Sequence, residues 1–103
     1  MNVSWNYFRA MAYTIEKTKQ AEKEIAALIK SGNKAILRKL ADILVEISEH
    51  PRTGTGQVEQ LKHYTFKQTW SRRLNQEYRI VYEIHDDIVV VKVISLLGHY
   101  GDK

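Results

Sequence analysis

The sequence predicts an α+β fold: a short amino-terminal strand, an antiparallel hairpin of two helices, and then a mostly antiparallel sheet of three to four strands. Apolar residues recur at helical spacing only between residues 18 and 50. Strand-like patterns occur before this region, at residues 12–18, and again from residue 58 onward. Because helical and strand-like segments are segregated along the chain, we expect the helices to cover one face of the sheet.

The first strand is predicted at residues 12–18, where Tyr, Thr and Ile favour extended backbone. Thr18 is a suitable N-cap for the helix that follows. Its apolar positions are Ala21, Ile25, Leu28 and Ile29. Gly32 suits the left-handed conformation that often ends a helix, and Asn33 is a good N-cap for a second one.

The second helix has the clearest pattern in the chain. Its apolar stripe consists of Ile36, Leu37, Leu40, Ile43, Leu44 and Ile47. We expect it to end by His50, since the residue before Pro51 is pushed out of the helical conformation. The short connection at residues 31–33 predicts that the two helices are antiparallel neighbours.

From Val58 the apolar periodicity changes to two. In the strand predicted near residue 72, one side carries Trp70, Arg72 and Leu74, and the other carries Ser71, Arg73 and Asn75. Further strands are predicted at residues 79–84 and 88–94, with a turn at Asp86 and Asp87 between them. The last run is apolar on both faces, which predicts a central, covered strand.

Length and composition indicate one small domain, expected at residues 12–103, after an extension at residues 1–11 whose role is open. Cysteine is absent, which excludes a disulfide framework and a thiolate zinc site. The first ten residues lack the apolar stretch of a signal peptide, and no run approaches the roughly 20 residues of a membrane span. We therefore expect a cytoplasmic protein without a membrane partner.

Positive charge is concentrated in one part of the chain. Residues 51–80 contain six lysines and arginines against two glutamates, a net charge of +4, which equals the formal net charge of the whole chain. A localised basic patch attracts polyanions, because the phosphate backbone supplies most of the sequence-independent attraction. The composition therefore favours a nucleic acid or an acidic protein as partner.

A hairpin whose turn is centred on Gln76 places Arg73 opposite Arg79. Two guanidinium groups side by side on one sheet face repel each other unless an anion lies between them. The pair could bind phosphate, for which the planar arginine fork is well suited. Alternatively, one arginine pairs with Glu59 or Glu77 and the other is solvated. Composition alone favours the second interpretation, the ion pair with a solvated arginine.

Two further side chains could transfer protons. Glu59 lies among basic residues and is expected to be a carboxylate that can accept a proton, although a surface salt bridge would explain it equally well. His99 and Tyr100 follow the predicted central strand, and histidine can donate and accept protons near neutral pH, although a histidine this near the end of the sequence is most often only solvated. The other histidines have no cysteine or close histidine partner, so neither a metal site nor a cofactor is expected.

Four separated motifs resemble the YoeB/Txe family, toxins of type II toxin–antitoxin modules in the RelE-like superfamily. They are TGTGQVEQLK at 53–62, WSRRL at 70–74, YRIVY at 78–82 and GHY at 98–100, and the resemblance covers about residues 12–100. It implies the RelE-like fold and an endoribonuclease that cuts mRNA in the A site of the translating ribosome. The sequence departs from the family where HYTFKQ occupies residues 63–68 and where three residues follow Tyr100.

The resemblance also implies roles for individual residues. Its catalytic set corresponds to Glu59 as general base, Arg79 as phosphate stabiliser, His99 as general acid and Tyr100 as a base-stacking or orienting residue. Lys62 and Arg73 match basic residues that contact RNA, and the neighbouring Arg72 is predicted to bind RNA with them.

The implied partners are a cognate YefM/Axe-like antitoxin with an acidic tail, mRNA, the 70S ribosome and a second copy of the chain. Two alternatives remain open at this stage. One is a non-catalytic nucleic-acid-binding module, such as a co-repressor that acts with an antitoxin. The other is a relative that retains only antitoxin binding.

Overall fold

The computed structural model describes residues 12–98. These residues form β1 (Thr14–Lys17), α1 (Lys19–Lys30), α2 (Lys34–Glu49), β2 (Glu59–Gln60), β3 (Thr69–Arg73), β4 (Tyr78–His85) and β5 (Val90–Gly98). The five strands make one sheet in the order β1-β5-β4-β3-β2. β1 is parallel to β5, and the other neighbours are antiparallel. The predicted α+β class is confirmed, with β1 making the sheet mixed.

Both helix starts are as predicted. Thr18 Oγ1 accepts a hydrogen bond from the backbone N–H of Ala21 at 3.1 Å, and Asn33 Oδ1 accepts one from Ile36 at 3.1 Å. Each side chain satisfies an amide of the first helical turn that has no partner within the helix. α2 ends at Glu49, one residue before the His50–Pro51 bond. In the described part of the chain, no helix is long and apolar enough to cross a membrane.

The core lies between the helices and one face of the sheet. From α2 it receives Ile36, Leu40, Ile43 and Ile47, from the sheet Ile80, Tyr82, Ile84, Val91, Val93 and Leu96, and from the turn between β3 and β4 Leu74. β5 is flanked by β1 and β4, which confirms the predicted central strand. It begins at Val90 rather than Ile88, because Val89 has a φ of +56° and still belongs to the turn after β4.

Arg72 is fully buried on the core side of β3. Its guanidinium donates to Glu46 Oε1 at 3.1 Å and to the Tyr82 hydroxyl at 3.2 Å. It also donates to the backbone carbonyls of His50, Pro51, Thr53 and Thr55 at 2.9–3.4 Å. All three guanidinium nitrogens are therefore engaged inside the protein. The prediction that Arg72 binds RNA is wrong, because the side chain is inaccessible and fastens the segment after α2 to the sheet.

The partners of Arg72 are themselves held in place. The hydroxyl of Thr55 donates to Glu46 Oε1 at 2.6 Å, and this bond is the largest cause that lowers the pKa of Glu46, with Arg72 acting in the same direction. The Tyr82 hydroxyl donates to the Pro51 carbonyl at 2.7 Å, and burial raises the pKa of this phenol. The buried cation is thus surrounded by acceptors, which buried charge requires.

Replacing Arg72 by Met should lower the free energy of unfolding by about 3 kcal/mol, because Glu46, the buried Tyr82 hydroxyl and the carbonyls of the segment after α2 lose their donor. Urea denaturation followed by circular dichroism measures this change. The matched control is Arg73→Met, the neighbouring arginine on the opposite face, which should lose less than about 1 kcal/mol. Equal losses in the two variants would contradict the assigned role of Arg72.

Candidate active site

The candidate site lies on the sheet face away from the helices, where three strands run side by side. Arg73 of β3 is paired with Arg79 of β4, as the hairpin centred on Gln76 predicts. Ser71 of β3 is paired with Glu59 of β2. Because side chains two residues apart in a strand share a face, this register brings a carboxylate, a hydroxyl and two guanidinium groups together.

The Arg79 guanidinium is close to both the Ser71 hydroxyl and the Glu59 carboxylate. Its Nη2 donates to Ser71 Oγ at 2.7 Å and lies 4.0 Å from Glu59 Oε2. The second distance exceeds hydrogen-bond length, so the two charged groups are close without direct bonding. The Glu59 side chain is 61% exposed and that of Arg79 is 25% exposed. A molecule arriving from solvent can therefore reach the carboxylate and the guanidinium together.

Arg73 is held by the loop before β2 and by the hairpin turn. Its Nε donates to Gln57 Oε1 at 3.1 Å, and its Nη1 donates to the Asn75 carbonyl at 3.4 Å. Its backbone N–H donates to the carbonyl of Gly56. These partners are neutral, so they orient the guanidinium without cancelling its charge. Two positively charged side chains thus lie on adjacent strands beside Glu59.

Lys62 is exposed in the loop that joins β2 to β3, which lies at residues 61–68. This loop is fastened at its base, since Gln60 Nε2 donates to the Lys67 carbonyl at 2.8 Å and Thr69 Oγ1 donates to the Phe66 carbonyl at 2.6 Å. The Phe66 ring also stacks on His85, with ring centroids 4.4 Å apart. Lys62 is therefore carried on an anchored loop that begins two residues after Glu59.

His99 and Tyr100 lie outside the described residues. They directly follow β5, in which Leu97 is paired with Arg79. Their predicted roles stay predictions. Within residues 12–98, no three His, Cys, Asp or Glu side chains come together as a possible metal-ligand group.

Ser71 and Gln57 contact the site arginines but were not predicted as site residues. The alternation of β3 placed Ser71 on the same face as Arg73, and this was the signal that could have identified it. No periodic pattern in the sequence identifies Gln57, because it lies in a loop, where its own backbone φ is +53°. Its contact with Arg73 depends on the path of residues 51–58, which the Arg72 hydrogen bonds determine.

Comparisons with a family model and with individual proteins point to the same family. Residues 26–100 match the family described as YoeB-like toxin of bacterial type II toxin-antitoxin system. The toxin YoeB of Escherichia coli O6:H1 strain CFT073 is 36% identical over 59 residues, which cover 57% of this chain and 69% of that protein. The family match at residues 26–100 spans most of the toxin domain predicted at residues 12–103, in agreement with the motifs in the sequence.

Solved structures agree. The YoeB dimer from Staphylococcus aureus superposes with a TM-score of 0.71 at 28% identity, over 86% of this chain and 99% of the other. The YoeB–YefM complex from the same species gives a TM-score of 0.68 at 29% identity, over 85% and 98% of the two chains. Together with the order of helices and strands, these likenesses confirm the RelE-like fold expected from the sequence.

Replacing Gly56 by Ala should disturb both stability and the site. Gly56 has a φ of +96°, and an added Cβ would lie 2.5 Å from the Arg73 carbonyl oxygen. We expect a loss of about 2–4 kcal/mol in the free energy of unfolding. The control is Gly32→Ala: Gly32 also has a positive φ, +77°, but an added Cβ there has no neighbour within 4 Å. The free energy of unfolding of that variant should fall by only about 1 kcal/mol. Chemical denaturation of the two variants and the wild type measures both losses. A similar loss at the two glycines would show that the close approach of Gly56 to β3 is unimportant.

Proposed function

Because this chain belongs to the YoeB-like toxin family of bacterial type II toxin–antitoxin systems, we propose that it is a metal-independent endoribonuclease that cuts mRNA at A-site codons of translating ribosomes. One observation carries the proposal. The Arg79 guanidinium lies 4.0 Å from the Glu59 carboxylate on an accessible sheet face, with Arg73 on the adjoining strand. This arrangement supports the proposal because it offers a proton acceptor and two phosphate-binding cations for RNA cleavage.

The nucleophile belongs to the substrate. The RNA 2′-OH attacks the adjacent phosphorus, and the bond from phosphorus to the 5′-oxygen of the next nucleotide breaks. Glu59 accepts the proton of the 2′-OH, a role supported by its 61% exposure, since a general base must come within hydrogen-bond reach of the substrate. The products then carry a 2′,3′-cyclic phosphate and a 5′-hydroxyl.

The two arginines stabilise the phosphate. Negative charge grows on its non-bridging oxygens in the transition state, and fixed donors aimed at them lower the barrier. Arg73 and Arg79 form a cross-strand pair of like charge, which is unfavourable without an anion between or beside them. A bound phosphate relieves this repulsion, so the same pair that weakens the empty hairpin supports binding of the substrate.

The remaining assignments follow the family. His99 is proposed to protonate the 5′-oxygen leaving group, and Tyr100 to stack on or orient a base. Lys62 is proposed to contact the RNA backbone from the exposed loop after β2. Lys62 is three residues after Glu59, and His99 follows β5, the strand that is hydrogen-bonded to the strand of Arg79.

The proposed partners are the ribosome and mRNA in the cytoplasm, a YefM-like antitoxin and a second copy of the chain. YoeB of Staphylococcus aureus has been solved both as a dimer and in complex with YefM. An acidic antitoxin segment complements the accessible basic side chains between residues 51 and 80, among them Lys62, Lys67, Arg73 and Arg79. Such a segment would cover Arg73 and Arg79 and thereby exclude RNA.

Glu59→Gln should lower the cleavage rate by about 10²–10⁴-fold, since it removes the proton acceptor. Primer extension on mRNA from a cell-free translation reaction measures the cuts. Thermal unfolding should be unchanged because the side chain is exposed. The control is Glu16→Gln, an exposed glutamate on β1, the opposite edge of the sheet.

Wild-type protein should give discrete cuts at A-site codons, and Glu16→Gln should match it. An intact message in the presence of wild-type protein that still binds its antitoxin would contradict the enzyme proposal. It would favour a relative that only binds its partner. Wild-type cutting by Glu59→Gln would contradict the assignment of the base.

A further inference from the structure

We propose that Ser71 is a positioning residue that directs the Arg79 guanidinium toward the substrate phosphate and keeps it out of direct contact with Glu59. This inference rests on the proposed function. The supporting observation concerns two distances from one atom. Arg79 Nη2 donates to Ser71 Oγ at 2.7 Å and is 4.0 Å from Glu59 Oε2.

The Ser71 hydroxyl is a fixed acceptor. Ser71 is 1% exposed and lies in the middle of β3, where its backbone is paired with Glu59 on one side and with Val81 on the other. Burial and pairing on both sides leave the side chain little freedom. Glu59, in contrast, lies on a two-residue edge strand and is 61% exposed. The position of Arg79 is therefore set by the serine rather than by the glutamate.

The chemical difference between the two acceptors matters. A hydroxyl accepts a hydrogen bond without carrying charge, so the guanidinium keeps its full positive charge for a phosphate. A carboxylate in direct contact would form a charge-assisted bond about twice as strong as a neutral one. Such a bond would occupy both the proton acceptor and the phosphate ligand. Ser71 holds Arg79 near the base and leaves both groups free to act.

Removal of the Ser71 hydroxyl should shorten the distance between Arg79 Nη2 and Glu59 Oε2. In Ser71→Ala, Glu59 becomes the nearest acceptor described for Arg79 Nη2, and the two side chains can close into a direct ion pair. Misplacement of a catalytic group by about 1 Å is expected to lower a rate by about 100-fold. We expect the cleavage rate at saturating protein to fall about 10- to 100-fold, whereas the concentration for half-maximal rate should change little, since Arg73 and Lys62 still bind RNA.

The test is a double-mutant cycle on single-turnover cleavage of mRNA in programmed ribosomes. Ser71→Ala, Arg79→Ala and the double variant are compared with wild type. If Ser71 acts through Arg79, then Ser71→Ala should have no further effect in the Arg79→Ala background. Ser71→Thr keeps the hydroxyl, so its cleavage rate should stay within a few-fold of the wild-type rate. Ser95→Ala removes another buried serine, in β5, and should leave the rate unchanged.

A crystal structure of Ser71→Ala supplies a readout that does not require activity. The distance from Arg79 Nη2 to Glu59 Oε2 should shorten from 4.0 Å to about 3 Å. An unchanged distance, or the same loss of rate with and without Arg79, would overturn the positioning role. If wild type cuts no RNA but the distance shortens, the proposed function fails while the positioning contact stands.

Discussion

A buried guanidinium determines how the candidate site is built. Arg72 lies on the core side of β3 and is surrounded by Glu46, the Tyr82 hydroxyl and the carbonyls of the segment that follows α2. That segment has no regular secondary structure of its own, so its backbone acceptors need a donor from elsewhere. Arg72 supplies it and thereby fixes the path of the chain from α2 to β2, which begins with Glu59.

Adjacent arginines in β3 have separate tasks because a strand alternates its faces. Arg72 points to the core and stabilises the frame, whereas Arg73 points to the other face and meets Arg79 across the hairpin. The residue that fastens the segment after α2 and a residue of the candidate site therefore lie on the same strand. The carbonyl of Gly56 binds the backbone of Arg73 on the same short stretch, so the loop that Arg72 fastens also orients the arginine of the site.

Periodic and local signals predicted much of this arrangement from sequence. The helix caps, the central strand and the opposition of Arg73 and Arg79 follow from spacing, and the structure confirms them. The error at Arg72 arose because this arginine was grouped with its neighbour Arg73, although alternation had already placed it on the same side as Trp70 and Leu74. β2 has only two residues, too few for a periodic signal, so the pairing of Glu59 with Ser71 required the three-dimensional structure.

The most direct test of the account replaces the nucleophile in the substrate rather than a residue in the protein. A message with a 2′-deoxy nucleotide at the mapped cleavage position is loaded into programmed ribosomes beside the all-ribose message. If the 2′-OH attacks the phosphorus while Glu59 removes its proton, the substituted message should stay intact at that position and the natural message should be cut. Cutting of both messages at equal rates would require another nucleophile, and the role assigned to Glu59 would be wrong.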